Sequence, residues 1–437
     1  MLDAVEPLLR KTTQLEEFEW KCYLVPLTTT IPALLQINSL TSLSIECPMK
    51  RHGYRFKENR ALENQICQFK NLRSFNIREI WTPNLASARR IARVLINSPN
   101  LTSFSISLDE LRCEAWDRDN ETLITEEDEV FWENEEKDLE IIDYFSAICQ
   151  EFRSPSQDPS TGKLLSLPIN DSVPPISLLS LAKLELGTCC ILTKDIHLLT
   201  DTSVLEHVFI GNSAKRMFAS SSPYSFTSSA LGAIAQMAPK LRSAQFDTFD
   251  YDCDATGIDL KKDFPALDSF YARDEYEGVV QELAKCGGLD AQSGQWKRLA
   301  LGNPESDQIS ELDDEFETLL SGLILKCVRL THLRVGLTWK DMPLLLSSLT
   351  KLPELKEVHL TVKGTEKSNL QPMRDYSVQE MFDHHSNVQI VSMVKSEPEG
   401  ISDRECWRRR WGGLQMVSKE ELELLNRDGF PRTLTDY

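Results

Sequence analysis

One six-residue phrase recurs along this chain of 437 residues: apolar, two mostly polar, apolar, polar, apolar. It runs as Leu15-Glu-Glu-Phe18-Glu-Trp20, Leu40-Thr-Ser-Leu43-Ser-Ile45, Leu72-Arg-Ser-Phe75-Asn-Ile77 and Leu101-Thr-Ser-Phe104-Ser-Ile106. It continues as Leu181-Ala-Lys-Leu184-Glu-Leu186, Leu205-Glu-His-Val208-Phe-Ile210, Leu241-Arg-Ser-Ala244-Gln-Phe246 and Leu267-Asp-Ser-Phe270-Tyr-Ala272. The last copies are Trp296-Lys-Arg-Leu299-Ala-Leu301, Leu330-Thr-His-Leu333-Arg-Val335 and Leu355-Lys-Glu-Val358-His-Leu360. The eleven copies begin 25, 32, 29, 80, 24, 36, 26, 29, 34 and 25 residues apart. A period of this kind constrains the fold strongly, because no unit can bury its apolar face except on the next copy.

In each phrase the last two apolar residues are two apart, so they share one face of a short strand. Segments with helical spacing lie between: Pro83–Leu95, Val279–Ala284, Phe316–Ile324 and Leu344–Leu349. Pro99, Pro239, Pro265 and Pro353 stand shortly before a phrase, where proline ends a helix and sets an extended backbone. Without the value of 80 the mean spacing is about 29 residues, at the long end of the leucine-rich-repeat range. The expected fold is therefore α/β: a leucine-rich-repeat solenoid, an irregular horseshoe with a parallel sheet on its concave face and helices outside. Repeats are expected over residues 1–108 and 163–362, in one elongated array. Residues 109–162 form an acidic insertion with a flexible loop, and 363–437 a C-terminal cap and tail.

Charge is concentrated in the insertion. The chain has 48 Lys and Arg against 67 Asp and Glu, a formal −19. Asp109–Glu140 holds 15 acids and three bases, a net −12, leaving −7 for the other 405 residues. Nucleic acid is disfavoured as a partner because phosphate binding needs a basic footprint. The insertion reads as a solvated excursion, with docking of a basic partner on Phe131 and Trp132 as the sharper alternative. Leu139–Phe152 has a helical pattern, and Asn387–Val394 reads as a final strand over the open end of the array. Cys406-Trp-Arg-Arg-Arg-Trp411 reads as part of a cap whose Arg stems pack on Trp.

No apolar run is long enough to cross a membrane, and the start lacks the pattern of a secretory signal. The 11 cysteines include no C-x-x-C, so reduced thiols and a cytoplasmic or nuclear location are expected. The triplets at Asn100, Asn120 and Asn170 then read as chance matches to the glycosylation signal. Phosphate loops, zinc-protease motifs and nucleophile elbows are missing from the sequence. Asp250, Asp252 and Asp254 match the first ligands of an EF-hand, but Ala255 and Lys261 replace its Gly and Glu. His384 and His385 are adjacent, a poor chelate on a helix. No catalytic residue, metal or cofactor is expected, and a cryptic enzyme site is the weakest alternative.

Residues between the apolar positions of each strand face the open side of the arc, where repeat proteins bind partners. Early copies place Ser42, Ser44, Ser103 and Ser105 there. Later copies place Phe209, Tyr271, Arg273, Arg298, Arg334 and His359 there, with Asp247 and Glu357 on the same face. Aromatic and Arg side chains are enriched in interface hot spots. The expected partner is a protein with an acidic or phosphorylated segment; no membrane partner is expected.

The phrases Ser98–Ile106, Leu15–Trp20 and Ala238–Phe246 resemble the divergent repeats of fungal F-box/leucine-rich-repeat-like proteins. The likeness runs over about residues 8–362 and is one of repeat style. It implies substrate recognition for a cullin-type ubiquitin ligase, in which the F-box docks to the ligase and the repeats hold the substrate. Only 14 residues precede Leu15, fewer than the helices of an F-box occupy, and no F-box pattern stands there. The chain is then expected to be either a truncated or repeat-only relative, with ligase subunits as partners only if an F-box stands upstream, or a repeat module without a ligase link.

Overall fold

The fold was derived from a computed structural model. It describes residues 5–21, 30–46, 62, 64–80, 85–108, 144–155, 176–187, 195–210, 238–246, 265–272, 296–301, 320, 322–338, 342–363, 378–379, 381–383, 387–397, 400–410 and 413–416. The chain divides into two compact units. The first comprises Met1–Phe226 and Ala233–Lys240, the second Thr227–Gly232 and Leu241–Tyr437.

Each of the eleven phrases forms a strand, and each strand starts at the third residue of its phrase. The first unit holds β1 (Glu17–Lys21), β2 (Ser42–Glu46), β3 (Ser74–Ile80), β4 (Ser103–Leu108), β5 (Lys183–Leu186) and β6 (His207–Ile210). They pair in chain order, all parallel. The second unit holds β7 (Ser243–Phe246), β8 (Ser269–Ala272), β9 (Arg298–Leu301), β10 (His332–Thr338), β11 (Glu357–Lys363) and β12 (Ile390–Glu397), again parallel and in order. Within each unit this is a solenoid-like α/β arrangement with an open parallel sheet.

Register follows the phrase. Leu43, Phe75, Phe104, Leu184 and Val208 stand side by side in the fourth position, as do Ala244, Phe270, Leu299, Leu333 and Val358 in the second unit. All are at most 3% exposed. The first residue of each copy from Leu40 onward is buried as well. Each such side chain contributes about 1.5–3 kcal/mol by leaving water, so the ladders of identical positions form the core.

A second regularity lies in the backbone. The carbonyl of the second phrase residue accepts two successive N–H groups from the next copy. Thr41 O takes Arg73 N at 2.7 Å and Ser74 N at 3.1 Å, and Arg73 O takes Thr102 N at 2.9 Å and Ser103 N at 3.1 Å. Asp268 O does the same for Lys297 and Arg298, and Lys297 O for Thr331 and His332. The pattern satisfies the donors of the turn leading into each strand and locks neighbouring copies in register.

The helices that are described include α1 (Val5–Leu9), α2 (Thr30–Leu34), α3 (Leu85–Ile96), α4 (Tyr144–Arg153), α5 (Ile196–Leu199) and α6 (Met342–Leu349). The expected helices at 83–95, 139–152 and 344–349 thus correspond to α3, α4 and α6. The expected helix at 279–284 lies outside the described residues, as does most of 316–324. The interruption of 80 residues leaves the sheet intact, because β4 pairs directly with β5. Helix α4, which lies within the interruption, packs on α3. Ser87 Oγ and Tyr144 OH meet at 2.9 Å and Arg89 faces Glu151 at 3.3 Å.

The strand expected at 387–394 is β12, shifted toward the C-terminus, but it is not the final one. It pairs antiparallel with β13 (Gly400–Arg410), and β13 with β14 (Gly413–Met416). Residues 406–410 of the basic-aromatic cluster belong to β13. The acidic stretch 109–140, the Asp250–Lys261 loop and His384-His385 lie outside the described residues. Among the described residues no helix is long and apolar enough to cross a membrane.

Candidate partner-binding site

In both units the third and fifth phrase residues alternate with the core positions and occupy the opposite sheet face. On β2–β4 of the first unit this face is small and polar: Ser42, Ser44, Ser74, Asn76, Ser103 and Ser105. Asn76 Nδ2 donates to Ser44 Oγ at 2.9 Å. Lys183 of β5 and Arg78 of β3 approach Glu185 at 2.7 and 3.5 Å. Burial pushes the Glu185 carboxyl up, but these two cations and hydrogen bonds from Lys183 and Ser105 outweigh it and hold it below the usual range. Phe209 ends this face on β6. It is 8% exposed, so it offers little contact area to a partner.

The second unit differs in charge. Around β9, β10 and β11 the residue just before each strand and the strand's first and third residues are Lys297, Arg298 and Ala300; Thr331, His332 and Arg334; and Lys356, Glu357 and His359. The ladder sets Arg298 beside His332 and His332 beside Glu357, and Ala300 beside Arg334 and Arg334 beside His359. Nine neighbouring positions thus carry four permanent cations, two histidines and one acid.

Glu357 sits between the two rings. Its Oε1 is 3.5 Å from His332 Nε2 and its Oε2 is 3.7 Å from His359 Nε2. Burial raises the Glu357 carboxyl, but the imidazoles of His332 and His359 beside it outweigh burial and hold the group well below the usual carboxylate range. The His332 ring is fixed from its other side. Thr331 Oγ1 donates to Lys297 O at 2.8 Å and lies 2.7 Å from His332 Nδ1. Thr331 has one hydroxyl hydrogen, so Nδ1 is the donor in the second contact.

A second line of charge follows the strand starts. Asp268 meets Arg242 at 3.3 Å and Lys297 at 3.1 Å. Burial raises the Asp268 carboxyl, but hydrogen bonds from Ser269, Lys297 and Arg242 hold it below its usual range. Two strands further on, Lys356 is exposed.

Of the sequence-predicted residues, Arg298, Arg334 and His359 come together on three adjacent strands. Arg298 and His359 are half-buried and Arg334 is 5% exposed, so Arg334 presents little of itself to solvent. Tyr271 lies on β8 in register with Ala300. Arg273 lies outside the described residues, and Phe209 belongs to the first unit. Sequence reasoning missed His332, Lys297 and Lys356. The phrase itself carried the signal, since His332 holds the same third position as Arg298. Among the described residues no group of three or more His, Cys, Asp or Glu side chains could hold a metal ion. No family model matches the chain, and no curated protein matches it.

Proposed function

We propose that this chain is a non-enzymatic leucine-rich-repeat module that holds a protein partner by an acidic or phosphorylated segment. The observation that carries this reading is the block on and just before β9–β11, four permanent cations against one acid in a chain of formal charge −19, of which Lys356 is exposed and Arg298 half-buried, while Lys297 is paired with Asp268 and Arg334 is buried. Parallel neighbours stand about 4.8 Å apart, so cations from successive copies converge on one bound segment. Opposite charge steers such a partner and rejects others.

The test is capture of partners by wild type and by an Arg298→Glu/Lys356→Glu variant, with and without phosphatase treatment. The expected result is loss of acidic or phosphorylated partners in the variant. The same partner set in both proteins overturns the reading.

The resemblance in repeat style supports a second, narrower reading, in which the captured protein is the substrate of a cullin-type ubiquitin ligase. Co-purification of cullin subunits with the chain tests it. A cytoplasmic or nuclear location fits both readings and is checked by imaging a fluorescent fusion.

A further inference from the structure

We infer that Glu357 is a built-in competitor for the partner's anion: its carboxylate fills the anion position between His332 and His359, and a docking carboxylate or phosphate displaces it. This rests on the acidic-partner reading above and adds the residue that sets its affinity.

The geometry has three parts. First, the carboxylate is shared, one oxygen facing each ring, across β10 and β11. Second, the two partners differ in freedom. His332 is held at Nδ1 by Thr331, whereas Glu357 reaches the rings on a side chain with three rotatable bonds. The carboxylate is therefore the part that moves. Third, the position is reachable. Side-chain exposure is 14% for His332, 22% for His359 and 24% for Glu357, and the His359 Nε2 atom is itself buried, so an outside anion meets the carboxylate first and reaches that nitrogen only as Glu357 moves aside.

The surroundings favour replacement over loss. Arg298 stands beside His332 on β9, Arg334 beside His359 on β10, and Lys356 precedes Glu357 on β11. Glu357 is the one acid among the nine positions, so moving it aside makes the local charge more positive. An incoming acid restores the pairing that Glu357 gives up. The net gain then depends on contacts beyond the two rings, which makes Glu357 a filter against small or weakly charged anions.

The experiment uses the full chain, ring-labelled at histidine, and a fluorescein-labelled hexaglutamate peptide as probe. Glu357→Gln keeps the size and removes the charge. It is expected to bind the probe about two- to fivefold more tightly than wild type, the scale of one partly screened charge contact. The probe is also expected to move the His332 and His359 ring resonances in wild type. Unchanged or weaker binding by Glu357→Gln, or unmoved rings, overturns the inference while leaving the partner reading in place. Absence of probe binding by both proteins overturns both. Should Glu357→Gln fail to fold, Glu357→Asp serves in its place. Its shorter carboxylate cannot span both rings, and it is expected to fall between the two; binding equal to or weaker than wild type overturns the inference.

Discussion

His332 and Glu357 face one another across β10 and β11, with Nε2 and Oε1 3.5 Å apart, though 25 residues separate them in the chain. The contact makes stability depend on acid. The folded Glu357 carboxyl titrates below its ordinary value, so its contribution is fully present above about pH 4.3 and is lost as pH falls through the folded value. Urea melts of wild type and Glu357→Gln across acidic pH check this. The stability difference is expected to shrink as pH falls.

Thr331 ties this pair to the backbone through Lys297 O and His332 Nδ1. Thr331→Val keeps the shape and removes both hydrogen bonds. The expected loss is about 1–3 kcal/mol, read from the urea midpoint, together with a changed ring environment at His332.

Phe75 and Phe104 stack at 6.1 Å with 14° between their planes, and both are wholly buried. Phe104→Ala opens a cavity where two copies meet. It is expected to cost about 3–5 kcal/mol by equilibrium unfolding.

Two glycines are expected to respond with opposite sign. A Cβ on Gly187 would press into Ser107 Cβ and lie 3.3 Å from its Cα, leaving no room between β4 and β5. Gly187→Ala is expected to destabilise by about 1–3 kcal/mol. A Cβ on Gly322 meets nothing within 4 Å, and its backbone is helical. Gly322→Ala is expected to stabilise by up to about 1 kcal/mol. Thermal melts of the two variants decide.

Burial pushes the Cys327 thiol up to about 12 and raises Cys149 as well, with Asp195 adding to the shift there. The thiolate is the reactive form. Both cysteines are expected to resist iodoacetamide in the native protein near neutral pH and to react after unfolding, as read by peptide mass spectrometry.

The spacing of apolar residues by itself determined where the strands lie. All eleven start at the third phrase residue, because alternation at a period of two leaves one register that buries residues such as Phe75, Phe104 and Leu333. It also assigned Arg298, Arg334 and His359 to one face. Tertiary structure decided what that face is. Only pairing between copies sets Glu357 against His332, and only burial makes Arg334 a different kind of cation from Arg298. The physical reason is range. Periodicity acts between neighbours in the chain, whereas a carboxylate's partners and exposure depend on strands that meet after tens of residues of intervening chain.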